Sequence, residues 1–324
     1  MKNNNLIILS SIIIFSISCK PTEYLITSTG ESFEQLTKIT DIGKPCFGAN
    51  GGDFNKNLYF SVLEDNGYIQ IYKKEEVTRP AIIQKTFGNG DSMWPAYNEY
   101  SDEILFYKIE AGNSDVFTIN ESSKGTAIKA ITNTDDEEFN ASWSPDGKSI
   151  VFEKGSHPRQ YVRTYKSGLS TTSLISANQI WIKYLETGEL KMIGNGSYPK
   201  FSPDGKYIAF VKFELGTSNV NQSGTLWIMN IDGDNRTQVT TNSLGNLSRP
   251  NWSPDGKSII FQLTKRDKYD SDIYSISISG ENLIQYTNNN SNDFSPYWSK
   301  DGFIYFSSDR GSLRGKYQIW RFKI

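Results

Sequence analysis

The residues that could do chemistry are few and far apart in this chain. Its 324 residues contain one histidine, His157, and two cysteines, Cys19 and Cys46. A Ser-His-Asp triad needs a histidine held by a rigid element, whereas His157 stands in the polar stretch EKGSHPRQYVRTYKSG, which has neither strand nor helix period. No G-x-S-x-G elbow occurs, and one histidine cannot build a His/Cys zinc site with two cysteines so far apart. Asp232-Gly-Asp234 resembles the start of a calcium loop, but the later ligands and the closing Glu are missing, so it reads as a hairpin turn. Gly88-Asn-Gly90 and Gly194-Asn-Gly196 lack the strand–loop–helix setting of a phosphate cradle. We expect no catalytic residues, no metal and no cofactor, with a hydrolase or lyase working through carboxylates as the weaker alternative.

Binding chemistry is better represented. The stretch 153–178 interleaves Lys154, Arg159, Arg163 and Lys166 with Tyr161 and Tyr165, and 307–316 carries Arg310, Arg314 and Lys316. Arg and Tyr are favoured at interfaces, which makes Arg159, Tyr161, Arg163, Tyr165, Arg310 and Arg314 the candidate partner-binding residues. The acidic run DDEE at 135–138 opposes them, so the surface has mixed sign. Lys and Arg number 34 against 36 Asp and Glu, a balance that does not suggest nucleic acid.

The N-terminus reads as a targeting segment. After Lys2, residues 6–17 are mostly apolar. That run is too short for a membrane span, which takes roughly 20 apolar residues, and suits a signal peptide. It ends in Ser16-Ile17-Ser18-Cys19, which resembles the lipobox of bacterial lipoproteins, with Ser16 where Leu is usual. The resemblance implies a signal peptide over 1–18, lipidation of Cys19, a membrane anchor through its acyl chains, and a place in the bacterial cell envelope, on the periplasmic side or the cell surface. Residues 19–32 read as the lipidated Cys and a polar tether. Cys46 then has no partner and is expected to be a small buried hydrophobe.

These features must be carried by the elements of 33–324, and those repeat. WSPDGKSIVF (143–152) returns as FSPDGKYIAF (201–210) and WSPDGKSIIF (252–261), with weaker copies at 97–106 and 298–306 and a stretched one from Phe47 to Phe60. The anchor aromatics Phe47, Tyr97, Trp143, Phe201, Trp252 and Trp298 recur with a period of about 50 residues. Each unit carries four strand signals, as in the run ending at Trp252, SIIFQL (258–263), DIYSISI (272–278) and LIQYT (283–287). Ser-Pro-Asp-Gly is turn chemistry: Pro presets φ, Asp bonds back to backbone N–H groups, and Gly takes the left-handed conformation. We therefore expect an all-β, six-bladed β-propeller with four antiparallel strands per blade. The last blade is one strand short in sequence order, and FEQLTKIT (33–40) resembles the outer strands ending QYT, QVT and AIT. It is expected to complete that blade and close the ring.

The units resemble the TolB-type β-propeller repeat, a WD-repeat-like family, in WSPDGKSIIF, DIYSISI and LIQYT. The chain differs from TolB itself in lacking an α/β domain ahead of the propeller and in its lipoprotein-like start. Related propellers serve as non-catalytic domains of serine peptidases or act as lyases. The first would need a hydrolase domain, and the second leans on His-rich metal sites. The expected function is a non-catalytic protein–protein interaction scaffold in the envelope, using the loop-rich propeller face. Binding of a carbohydrate or other small ligand in the central channel is the alternative.

Overall fold

A computed structural model of the chain describes residues 27–28, 36–123, 127–155, 178–214, 223–265, 268 and 270–324. Its regular structure among those residues is strand, apart from one 3-10 turn at Asp53–Asn55. Two short strands come first, β1 (Thr27–Ser28) and β2 (Thr37–Lys38). The first group of four is β3 (Cys46–Gly51), β4 (Leu58–Leu63), β5 (Ile69–Lys74) and β6 (Ile82–Gln84). The second is β7 (Asp91–Asn98), β8 (Glu103–Glu110), β9 (Asn113–Asn120) and β10 (Ile128–Ala130). The third is β11 (Glu137–Trp143), β12 (Ser149–Gly155), β13 (Gln179–Tyr184) and β14 (Leu190–Asn195). The fourth is β15 (Ser197–Phe201), β16 (Tyr207–Glu214), β17 (Ser223–Asn230) and β18 (Thr237–Gln238). The fifth is β19 (Asn246–Trp252), β20 (Ser258–Thr264), β21 (Ser271–Ser277) and β22 (Ile284–Gln285). Last come β23 (Asp293–Trp298), β24 (Phe303–Ser308) and β25 (Gln318–Lys323).

Within each group the strands pair antiparallel in chain order. The fourth strand of the last group is β2, through Thr37↔Arg321 and Lys38↔Trp320. A repeated hydrogen bond shows why this N-terminal piece fits. A Thr hydroxyl just after the outer strand accepts the N–H of a third-strand residue: Thr86 from Ile71 and Thr132 from Val116 at 2.8 Å, Thr287 from Ile273 at 2.9 Å. Thr40 does the same for Ile319 at 2.9 Å. Thr27–Ser28, placed in the tether by the sequence, instead adds a parallel strand beside β22. The fourth and fifth groups touch through one parallel pairing, Gly224 with Asn246. A Cβ at Gly224 would lie 2.0 Å from the Leu247 carbonyl oxygen, so only glycine permits this approach.

The recurrent decamer behaves as turn chemistry dictates. Asp146 accepts the Ser144 hydroxyl at 2.6 Å and the Lys148 N–H at 3.0 Å, while Gly147 sits at φ 70°. Asp204 and Asp255 repeat the arrangement. These bonds, the serine hydroxyl first, hold all three carboxyls below the ordinary range. The anchor indoles reach the preceding group: Trp143 Nε1 donates to the Ala96 carbonyl and Trp252 Nε1 to the Lys200 carbonyl, both at 3.0 Å. One anchor assignment is corrected. Register places Gly51, opposite Leu58, at the position that Trp143 and Trp252 occupy, and Phe47 lies four residues earlier. The stretched spacing of that copy concealed the shift.

Apolar faces pack group on group. Leu105, Val116 and Ile131 of the second meet Trp143, Ile150 and Phe152 of the third. Phe303, Tyr305 and Ile319 of the last group pack on Leu58, Phe60 and Val62 of the first. Cys46 is fully buried there and free, and burial pushes its thiol up to about 12.

Candidate binding site in the central cavity

The first strand of every group breaks register at one place, three residues before its anchor position. The residues at the break are Gly48, Trp94, Asn140, Tyr198, Arg249 and Ser295, with φ between 50° and 67°. Such bulges re-aim side chains. For the five that are not glycine, the left-handed backbone costs on the order of 1–3 kcal/mol each. Proline follows four of them, at Pro95, Pro199, Pro250 and Pro296. Gly48 must be glycine: a Cβ there would lie 2.3 Å from the Trp94 ring.

The second strand of the preceding group holds these bulges. Ser61 accepts the Trp94 N–H at 3.0 Å, Glu153 the Tyr198 N–H at 2.5 Å, and Gln262 the Ser295 N–H at 3.0 Å. Ser307 of the last group accepts the Gly48 N–H at 3.1 Å. Each acceptor directly follows a closing phenylalanine: Phe60, Phe152, Phe261 or Phe306. Glu153 does most. Fully enclosed, it also takes Asn140 Nδ2 at 2.8 Å and Asn178 Nδ2 at 2.9 Å. Burial raises its carboxyl, and these donors oppose the rise.

All six groups line one cavity of about 70 Å³, with Trp94, Tyr198, Lys200, Arg249, Ser295 and Tyr297 on its wall. The Arg249 guanidinium lies 3.5 Å from the Trp94 ring centroid and 5.1 Å from that of Tyr198. The aromatic faces orient the cation by cation–π attraction, and its guanidinium is a planar set of hydrogen-bond donors. Lys200 lies on the same wall. Desolvation first, then the Arg249 cation, holds its ammonium down to about 8 against the attraction of Glu153. Ser295 Oγ is buried on this wall and makes no hydrogen bond. Two cations and an uncommitted hydroxyl are suited to a carboxylate or similar anion.

Lys200 yields a pH prediction. A lysine whose folded pKa lies below its unfolded value binds fewer protons when folded, so stability rises with pH from about 8 to 10.5. Lys200→Met is expected to stabilise the protein at pH 7 by about 1–3 kcal/mol and to flatten that rise. Thermal melts at pH 7 and pH 10 measure this. An unchanged pH 7 melting temperature with the rise intact would contradict it.

Of the residues singled out in the sequence, Cys19, His157, Arg159, Tyr161, Arg163 and Tyr165 lie outside the described residues. Arg310 donates to the fully buried Asp293 at 2.6 Å and packs over Phe306. Arg314 is exposed and pairs with Asp270 at 3.0 Å. Lys154 pairs with Asp136 of the acidic run at 2.9 Å. The Lys154 pair ties the end of β12 to the crossing loop before β11, and the Arg314 pair ties the β24–β25 loop to the β20–β21 loop. Sequence reasoning missed the cavity residues. The available signal was the residue before the recurrent proline, where Trp, Tyr and Arg stand.

Among the described residues no group of three or more His, Cys, Asp or Glu side chains could hold a metal ion, and no helix is long and apolar enough to cross a membrane. Comparison with known proteins decides what kind of fold this is. Residues 195–324 match the TolB beta propeller domain family. That part of the chain resembles a TolB-type propeller. The Tol-Pal system protein TolB of Francisella tularensis is 26% identical over 156 residues, 47% of this chain and 31% of that protein. Dipeptidyl-peptidase 5 of Porphyromonas gingivalis is 30% identical over 151 residues, 45% of this chain and 20% of that protein. The chain thus spans between a fifth and a third of these two relatives. A solved oligogalacturonate lyase, in complex with manganese, superposes with a TM-score of 0.59 at 15% identity, covering 90% of this chain and 94% of that one. This likeness shows the propeller-type fold alone.

Proposed function

We propose that this protein is a non-catalytic binding module of the bacterial envelope, anchored through Cys19, whose propeller grips a carboxylate-bearing segment of a protein partner at the central cavity. In this reading the strand groups are the blades of a six-bladed propeller, closed where β2 completes the last blade. The contacts of the last group with the first support that closure. The observation that carries the function is the Arg249 guanidinium between Trp94 and Tyr198, with Lys200 beside it.

Three arrangements would point to three functions. A bare aromatic platform would suit sugar stacking, but Arg249 covers the Trp94 face at 3.5 Å. An acid pair open to the cavity would suit hydrolysis, but Glu153 is fully enclosed and bonded to strand and amide donors. A cationic, aromatic wall suits a protein partner's acidic group. The sequence candidates Arg159, Tyr161, Arg163 and Tyr165, which lie outside the described residues, and the exposed Arg314 are assigned the surrounding contact, whereas Arg310 is committed to the buried Asp293. Export and anchoring rest on the sequence of the first 19 residues, and likeness to the Tol-Pal protein agrees with an envelope setting.

In-cell crosslinking of the full-length protein, with mass spectrometry of captured proteins, tests this. A discrete partner is expected with the wild type. It should be lost in Arg249→Ala and weakened when residues 156–176 are replaced by a short Gly/Ser linker. Equal capture by all three proteins would overturn the proposal.

A further inference from the structure

A second cavity, separate from the central one, lies where the second group meets the third. It measures about 250 Å³ and is lined by Ile131, Thr132, Asn133 and Thr134 after β10, Glu138 on β11, Phe152 and Lys154 on β12, Trp181 and Lys183 on β13, and Leu190 on β14. Strand alternation places Phe152 with Lys154, and Trp181 with Lys183, on one sheet face. The walls are mostly apolar, with the charged groups of Glu138, Lys154 and Lys183 set among them. Phe152 forms a buried floor, whereas Leu190 is 45% exposed at the rim.

The polar groups have a specific pattern of spare capacity. Glu138 is 1% exposed, and its Oε2 is buried with no hydrogen-bond partner. Its Oε1 accepts the Thr134 hydroxyl at 2.5 Å. Lys183 Nζ donates to the Ile131 carbonyl at 2.6 Å, and Lys154 Nζ pairs with Asp136 at 2.9 Å. An ammonium has three donors, so each lysine retains N–H groups for a further acceptor. An orphaned buried acceptor is costly unless something satisfies it.

We infer that this cavity is a binding site for a single sugar ring, stacked on Trp181 and hydrogen-bonded to Glu138, Lys154 and Lys183. The choice among ligand classes follows from the lining. An ammonium ligand would meet two lysine cations. An anionic ligand would meet the orphaned Glu138 oxygen. A purely apolar ligand would leave that oxygen unsatisfied. A pyranose presents hydroxyls that donate to Glu138 Oε2 and accept from the lysines, with an apolar C–H face for the indole. The volume holds roughly a dozen non-hydrogen atoms, one ring rather than a chain of them. Lys154 Nζ stands over the Trp181 ring, 5.4 Å from its centroid, so the sugar's C–H face shares that side of the indole with an ammonium that can donate to its hydroxyls. Burial, reinforced by Asp115, raises the Glu138 carboxyl.

Saturation-transfer NMR on the purified protein tests this with methyl glycosides of glucose, galactose and N-acetylglucosamine. At least one is expected to receive saturation, with affinity at least tenfold weaker in Trp181→Ala and in Glu138→Leu. Should those variants melt early, Leu190→Glu at the exposed rim blocks the mouth without touching the core and is expected to abolish the signal. No transfer to any of the three probes at 10-fold molar excess or above, or transfer undiminished in Leu190→Glu, would overturn the assignment. Retained transfer in Arg249→Ala keeps this site distinct from the central cavity, and its loss there would assign the sugar to that cavity instead.

Discussion

Deletion of residues 33–40 is expected to turn a monodisperse protein into an aggregating one. The deleted segment includes β2, the strand that covers the edge of β25. Thr40 Oγ1 accepts the Ile319 N–H at 2.9 Å and donates to Gln318 Oε1 at 2.8 Å, while the Ile39 N–H donates to the Ile319 carbonyl at 2.7 Å. Ile39 packs among Phe303, Tyr305 and Ile319. Burial of one isoleucine contributes about 1.5–3 kcal/mol, and each of these bonds about 1 kcal/mol. The summed loss, roughly 4–6 kcal/mol, is a large part of a typical domain's stability. The bare edge is also a template for pairing with a second molecule. Light scattering after size exclusion should show oligomers, with melting lowered by 10 °C or more by the usual scaling. A monodisperse deletion variant with unchanged melting would mean that β2 is dispensable.

The second large effect is expected at Glu153. Replacing it by alanine strands the Tyr198 N–H and two asparagine amides in a site without solvent. Each buried donor left without an acceptor costs about 1–3 kcal/mol. Glu153→Gln should behave quite differently. Asn178 Oδ1 is buried without a hydrogen bond. A flip of the Asn178 amide turns that oxygen toward the new glutamine NH₂ and moves the Asn178 NH₂ to the position where the oxygen had no partner, so one unpaired atom replaces another. Burial also raises the Glu153 carboxyl above its ordinary 4.5. The folded state therefore favours the protonated form, and this contribution to stability is lost as pH rises above 4.5. The glutamine variant should stay within about 1 kcal/mol of wild type at pH 7 and lose that slope. Chemical denaturation of both variants at pH 4.5 and 7 checks this. Equal destabilisation by Ala and Gln would contradict the assigned bonding.

Local chemistry explains what the sequence made legible. SPDG is a turn whose every residue has a separate backbone job, so its copies announce the hairpins without tertiary information. The likeness of FEQLTKIT to the other outer strands had a physical cause, because Thr40 makes the bond that Thr86, Thr132 and Thr287 make. The first copy misled because Gly51, which has no side chain to mark it, stands at the anchor position, while Phe47 lies four residues upstream. The central cavity was hidden for a different reason. Trp94, Tyr198 and Arg249 come from three strand groups and meet only through left-handed bulges, which no strand alternation predicts. Periodicity alone would assign these three side chains no common destination.

In the proposed function Lys200 and Arg249 receive a carboxylate from a partner. The most direct test is the titration of Lys200, followed by NMR of its ε-methylene, in the protein alone and in complex with the partner that crosslinking identifies. Alone, Lys200 should titrate near 8. In the complex an anion beside it should raise that value toward the ordinary 10.5, with proton uptake on binding at pH 8 to 9. A saturated complex in which Lys200 still titrates near 8 would contradict the claim and place the partner elsewhere on the propeller.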